Sequence, residues 1–233
     1  MMKKFVCIAA ILLCGIVTAS AQEAPSHANR VYISGQGGPA FNLYENYFTY
    51  RDDGQMAKLF TLQGAAAVGY DLSEAFGIRL QGAFGTDAGA CNREDTAGRG
   101  FYPYSFKHVN AFVDVAINLA GLNGKATLFR PKIYFGAGGA YTFGFEETGT
   151  HHPWQWNNVT DPNTALGFRG GLITEYTTKS GLGFFADFCG EAYLDNYNGL
   201  QPSEKDKESV KKGYPGFPFD LRALASLGLI FHF

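Results

Sequence analysis

Few residues of this sequence stand in patterns that could do chemistry. Ser105 and His108 are the nearest pairing of a nucleophile with a base, as a membrane deacylase would need within hydrogen-bond reach. On an extended segment, residues three apart point to opposite faces, so the pair does not meet. His151 and His152 stand beside Trp154 and Trp156 in HHPWQWNN. Adjacent histidines without a carboxylate or cysteine at ligand spacing are a weak metal signal. The tryptophans suit a contact patch or packing among loops better. The systematic signal is seven charges, Arg79, Asp114, Arg169, Glu175, Asp187, Glu191 and Arg222. Their chemistry is pairing, since opposite charges tolerate burial only together. Whether they can meet depends on the elements that carry them.

Those elements read at period two. In the closing LRALASLGLIFHF, Leu221, Ala223, Ala225, Leu227, Leu229, Phe231 and Phe233 share one phase, and Arg222, Ser226, Gly228 and His232 share the other. This is a strand period. Eight such strands are expected, over 30–41, 59–72, 77–87, 108–119, 132–145, 166–176, 183–194 and 219–233. In 108–119, Val109, Val113, Val115, Ile117 and Leu119 oppose His108, Asn110, Asp114 and Asn118. In every strand that carries one of the seven charges, it falls opposite the large apolar residues.

Connections alternate in length. Residues 42–58, 88–107, 146–165 and 195–218 read as long loops, whereas 73–76 and 177–182 are short. The segment 120–131 is longer than a tight turn and breaks the pattern. Long and short links on alternate sides belong to an up-and-down antiparallel barrel in an outer membrane. A soluble calyx would alternate as well, with its large apolar side chains inward and its charges in water. Here the strands reach bilayer-crossing length. The polar phase is rich in Gly, Ala, Ser, Asn and Gln, and Tyr70, Tyr141, Phe143, Tyr176 and Phe233 stand near strand ends, where membrane interfaces favour aromatics. We therefore expect an all-β fold: one eight-stranded antiparallel transmembrane barrel whose interior holds the seven charges as a polar network.

Composition agrees. Of 233 residues only 17% are charged and 15% are aromatic, with 30 glycines, a balance that suits closely packed β-structure. The opening MMKKFVCIAAILLCGIVTASAQ has two lysines, an apolar run, and Ala19-Ser20-Ala21 before Gln22. That is the layout of a signal peptide over residues 1–21, with the barrel domain on 22–233. Leu13 before Cys14 is too bulky for lipoprotein processing. Cleavage removes Lys3 and Lys4, leaving 17 basic against 21 acidic residues, a net charge of −4 and no basic footprint for nucleic acid. Cys91 and Cys189 remain; whether they pair stays open. SEKDKESVKK (203–212) reads as a solvated loop tip, and YENYFTY as a cap on the outer aromatic girdle.

The signal peptide, the alternating strands, FGAGGAYTFGF and above all the closing LGLIFHF resemble small outer-membrane β-barrels of the OmpA and OmpX type of Gram-negative bacteria. The resemblance covers about 29–233 and implies export to the outer membrane. It also implies recognition of Leu227, Leu229, Phe231 and Phe233 by the barrel-assembly machinery, and contact with outer-membrane lipid and lipopolysaccharide. OmpA itself carries a peptidoglycan-binding domain after its barrel; this chain stops at Phe233, so anchoring through such a domain is not expected. The expected role is structural or surface-interaction, through four long loops, as a monomer with no cofactor, no metal and no catalysis. A narrow passive pore and a lipopolysaccharide-modifying hydrolase are the alternatives.

Overall fold

The computed structural model describes residues 26–43, 59–95, 98–147, 160–194, 197–199 and 219–233. The signal segment 1–21 lies outside the described residues, as do YENYFTY, HHPWQWNN and SEKDKESVKK. Eight strands follow one another: β1 Arg30–Leu43, β2 Phe60–Asp71, β3 Phe76–Asp95, β4 Gly98–Asn118, β5 Phe129–Glu147, β6 Asn163–Thr177, β7 Leu182–Leu194 and β8 Phe219–His232. Each pairs antiparallel with its sequence neighbours, and β1 pairs with β8, so the sheet closes into a barrel. Closure leaves no unpaired edge in the wall, the condition for placing a sheet in hydrocarbon.

The outward phase is apolar on every strand. Leu227 is 73% exposed, Leu62 71% and Phe135 67%, whereas Arg222, Arg130 and Asp114 are each 1% exposed. Among the described residues, the belt running through Ile33, Leu80, Val113, Phe135, Phe168, Phe188 and Leu229 carries no outward Lys, Arg, Asp or Glu; Lys107 and Glu146 stand at its loop-side rim. A cation inside such a belt would cost about 2–4 kcal/mol at its centre. No described helix is long and apolar enough to cross a membrane; the strands do the crossing. The wall is thus turned inside out relative to a water-soluble calyx.

Short turns set one mouth. Ser73 closes the β2–β3 turn, its Oγ accepting from the backbone N–H groups of Ala75 and Phe76 at 3.2 and 3.0 Å, as turn serines do. The β6–β7 turn uses Gly181 at φ 88°, a conformation open to glycine. The overlong 120–131 connection folds as a short 3-10 helix, Leu119–Asn123. Asn118 caps its start, accepting from Ala120 N–H and donating to the Glu74 carbonyl at 2.8 Å. The connection is therefore shorter than expected, because β5 begins at Phe129 rather than 132.

The larger correction concerns 88–107, expected as a loop. Here β3 and β4 continue as a paired ribbon up to Asp95↔Gly98. The β2–β3 ladder has already ended at Gln63↔Gly85, so the ribbon stands past the β2 side of the wall. Cys91, expected in a loop, lies on this ribbon, and Cys189 is a free thiol on β7.

Candidate functional site in the barrel interior

All seven charges expected inside are buried, and the structure joins them into ion-paired layers with partners the sequence did not single out. One row of the register explains much of this. Read across the ladder from β3 to β8, it runs Arg79, Asp114, Gly136, Arg169, Glu191, Arg222. Opposite charges on directly opposed positions are the favourable cross-strand arrangement.

In the middle layer Asp114 is held from both sides. Arg79 Nε donates to its Oδ2 at 2.7 Å, while Arg169 grips both oxygens, Nε to Oδ1 at 2.7 Å and Nη2 to Oδ2 at 2.6 Å. The bidentate fork gives the strongest geometry a carboxylate can have. Arg169 reaches over from β6 because Gly136 lies between; a Cβ there would stand 2.1 Å from Asp114 Oδ1. Arg79 Nη1 lies 3.6 Å from Asp187, which also accepts from Tyr134 at 2.9 Å and Gln36 at 3.3 Å. The guanidinium carbons sit over rings, Arg79 4.4 Å from the Tyr134 centroid and Arg169 4.6 Å from that of Phe112, so the cations are covered on their faces as well as paired at their edges. Tyr134 in turn lies over Gly171, where a Cβ would come within 2.7 Å of its ring.

The turn-side layer joins Glu175 to residues outside the expected set. Lys132 Nζ is 2.7 Å from Glu175 Oε2, and Arg130 spans Glu175 at 3.3 Å and Asp71 at 2.9 Å. Thr177 donates to Glu175, and His232 Nε2 lies 3.0 Å from the same carboxylate. The loop-side layer joins Glu191 and Arg222 at 2.7 Å. Arg222 also lies 3.1 Å from Asp87 and donates to Gln63 at 2.9 Å. His108 bridges Asp87 at 2.9 Å and Gln63 at 3.0 Å. Tyr193 donates to Glu191, and Tyr197, entering from the β7–β8 connection, donates to Asp87 and stacks on Tyr193 with centroids 4.1 Å apart.

His108 stands on the polar phase named for 108–119, and Asp71 and Asp87 hold the corresponding polar positions of 59–72 and 77–87. Arg130 was missed because 120–131 was read as connection, and Lys132, which opens the expected strand 132–145, was not counted on its polar phase. Carrying the β5 phase back from Gly136 and Tyr134 would have placed both inside. Phe112, Tyr104 and Phe106 also turn inward, where an apolar-out rule does not look for rings. Ser105 and His108 occupy opposite faces of β4, His108 inside and Ser105 on the outer wall. Among the described residues no His, Cys, Asp and Glu cluster has the geometry to hold a metal.

The turn-side mouth bears the ionisable groups that lie outside the wall. Glu74, in the β2–β3 turn, accepts from Ser26 Oγ at 2.5 Å and from the backbone N–H groups of His27 and Ala28 at 2.9 and 3.2 Å. Burial pushes its carboxyl up, but these hydrogen bonds together hold it below the ordinary value.

A closed wall of eight strands, apolar outside and ion-paired throughout its interior, defines a transmembrane β-barrel with a filled lumen. A solved structure shares this fold. The crystal structure of Neisserial surface protein A covers 87% of this chain and 97% of its own at 9% identity, with a TM-score of 0.53. That of the outer membrane protein OprG from Pseudomonas aeruginosa covers 91% and 99% at 11% identity, with a TM-score of 0.49. No protein-family model matches the sequence, and no curated protein matches it.

Proposed function

We propose that the chain is an integral protein of the Gram-negative outer membrane, exported by residues 1–21, whose barrel is a rigid platform for loops that meet the surroundings. The carrying observation is the interior. Charge layers and stacked rings fill the lumen from Asp71 to Asp87, and an eight-stranded barrel has room for little beyond side chains. A platform needs such a core, whereas a conduit needs an opening. Lipid and lipopolysaccharide cover the outward belt, and the chain works as a monomer. In this reading Leu227, Leu229 and Phe231 on the closing strand and Phe233 just past it, all exposed, are what the barrel-assembly machinery engages. Ser105 and His108, the one nucleophile and base the sequence offered, stand on opposite faces of β4, and the proposed role involves no catalysis.

Cell fractionation with heat-modifiable gel mobility tests the proposal. The protein should sediment with outer membranes and migrate as a compact band until boiled. Recovery in the soluble periplasm, or a single mobility before and after boiling, would overturn it. Planar-bilayer recording separates platform from pore: a flat trace supports the platform, and unitary steps altered by Arg169→Gln or Arg222→Gln would replace it with the pore.

A further inference from the structure

The charge layers do not themselves cover the turn-side mouth. Ser26–Asn29, the residues ahead of β1, do. Asn29 has φ 60°, a left-handed turn that asparagine tolerates, and its N–H donates to the Asp71 carbonyl at 2.7 Å. The turn sends the chain back beneath the mouth, where the three hydrogen bonds to Glu74 fasten Ser26, His27 and Ala28.

His27 is thereby pressed into the opening. It is fully buried, and its ring lies 4.4 Å from that of His232. Neither ring nitrogen has a hydrogen-bond partner among the described residues. A buried imidazole with no partner for either nitrogen among the described residues gains little from its polarity there; it serves as a cover, held by its backbone. The charged and titratable groups facing it are Asp71 on β2, Glu74 in the β2–β3 turn, Arg130 on β5, Glu175 on β6 and His232 on β8.

We propose that Ser26–Asn29 is a proton-released stopper: when His27 takes up a proton the segment swings out on Asn29 and admits water to the Asp71, Arg130, Glu175 and Lys132 layer, while the barrel stays intact. The closed position suits only the neutral ring. Burial first, then Arg130 and His232, push His27 from 6.5 down to about 4, against the pull of Glu175 and Asp71. For such a histidine, docking is at full strength above 6.5, weakens as pH falls from 6.5 to about 4, and levels off below. The open fraction rises up to tenfold per pH unit, or about thirtyfold between pH 7.5 and pH 5. Glu74 acts elsewhere: its carboxyl is held below 4.5, so its contribution is present above 4.5 and is lost only as pH falls through that lowered value. The proposal needs a membrane-embedded barrel and no particular membrane.

Amide hydrogen exchange on the full chain in phospholipid nanodiscs, corrected for intrinsic rates, reads the opening at His27 and Ala28. Their protection should fall about thirtyfold from pH 7.5 to pH 5 while Val113 and Ile117 on β4 hold theirs. His27→Asn should abolish the dependence, and His232→Gln should keep it. A flat wild-type profile, a slope that survives His27→Asn, or β4 amides falling in step would each overturn the stopper. If His27→Asn fails to dock, the NMR titration of the wild-type His27 ring decides: a midpoint well below 6.5 supports the proposal, and one near 6.5 refutes it.

Discussion

Replacing Asp114 by Asn keeps the shape of the middle layer and removes its central charge. Arg79 is then left with Asp187 at 3.6 Å and the Tyr134 ring. Arg169 loses its bidentate, charged grip and keeps at most one hydrogen bond to the amide oxygen, besides the faces of Phe112 and Tyr134. Two buried guanidiniums then share the Asp187 carboxylate, and the middle layer, neutral before, is left with one net positive charge. Breaking a buried pair by removing one partner costs about 3–5 kcal/mol, about two to four powers of ten in the unfolding equilibrium. The measurement is urea unfolding in phospholipid vesicles, followed by loss of the compact unboiled gel band. Adding Arg169→Gln should recover part of the loss, because neutrality returns, and the double-mutant cycle should show coupling well above 1 kcal/mol. A loss below about 1 kcal/mol for Asp114→Asn, the size of an exposed pair, would refute the reasoning: water would then be solvating the layer, and the lumen would not be filled.

Val113→Arg puts a cation in the apolar belt and should cost about 2–4 kcal/mol in the same assay; an unchanged midpoint would mean that β4 does not face hydrocarbon there. Gly136→Ala drives a methyl to 2.1 Å from Asp114 Oδ1 and should destabilise by about 1–3 kcal/mol. If the Ala variant matches wild type, Arg169 does not reach over that gap. Deleting Phe233 should reduce insertion in cells while leaving refolding of purified protein into detergent unchanged, a split visible by comparing the compact band from the two sources.

The wall was legible in the sequence because hydrocarbon imposes one rule on every strand. Val109, Val113, Val115 and Ile117 must face out, and that fixes Asp114 inside. The same logic placed Arg79, Arg169, Asp187 and Arg222. It failed where the rule stops. The β3–β4 ribbon past Thr86 has left the belt, so no apolar face was demanded of it and 88–107 read as a loop. Arg130 was lost because the turn ahead of β5 carries no period of its own. Which acid meets which base was not legible either. Arg169 opposes Glu191 across the ladder but binds Asp114 over Gly136, a choice set by a missing side chain. Nor did His27 announce itself: its place depends on one left-handed residue, Asn29, and on a carboxylate 47 positions away.

The antiparallel seam of β1 and β8 brings the two ends of the barrel together, with Phe233 N–H donating to the Val31 carbonyl at 2.9 Å. A short linker joining Phe233 to Ser26 would therefore make a covalently endless wall, and the chain could be reopened at any loop on the far side. Such circular permutants should retain the same shear and the same ion pairs. The starting strand would then be a matter of synthesis order, which makes it possible to ask whether membrane insertion follows the closed sheet or the order in which its strands arrive.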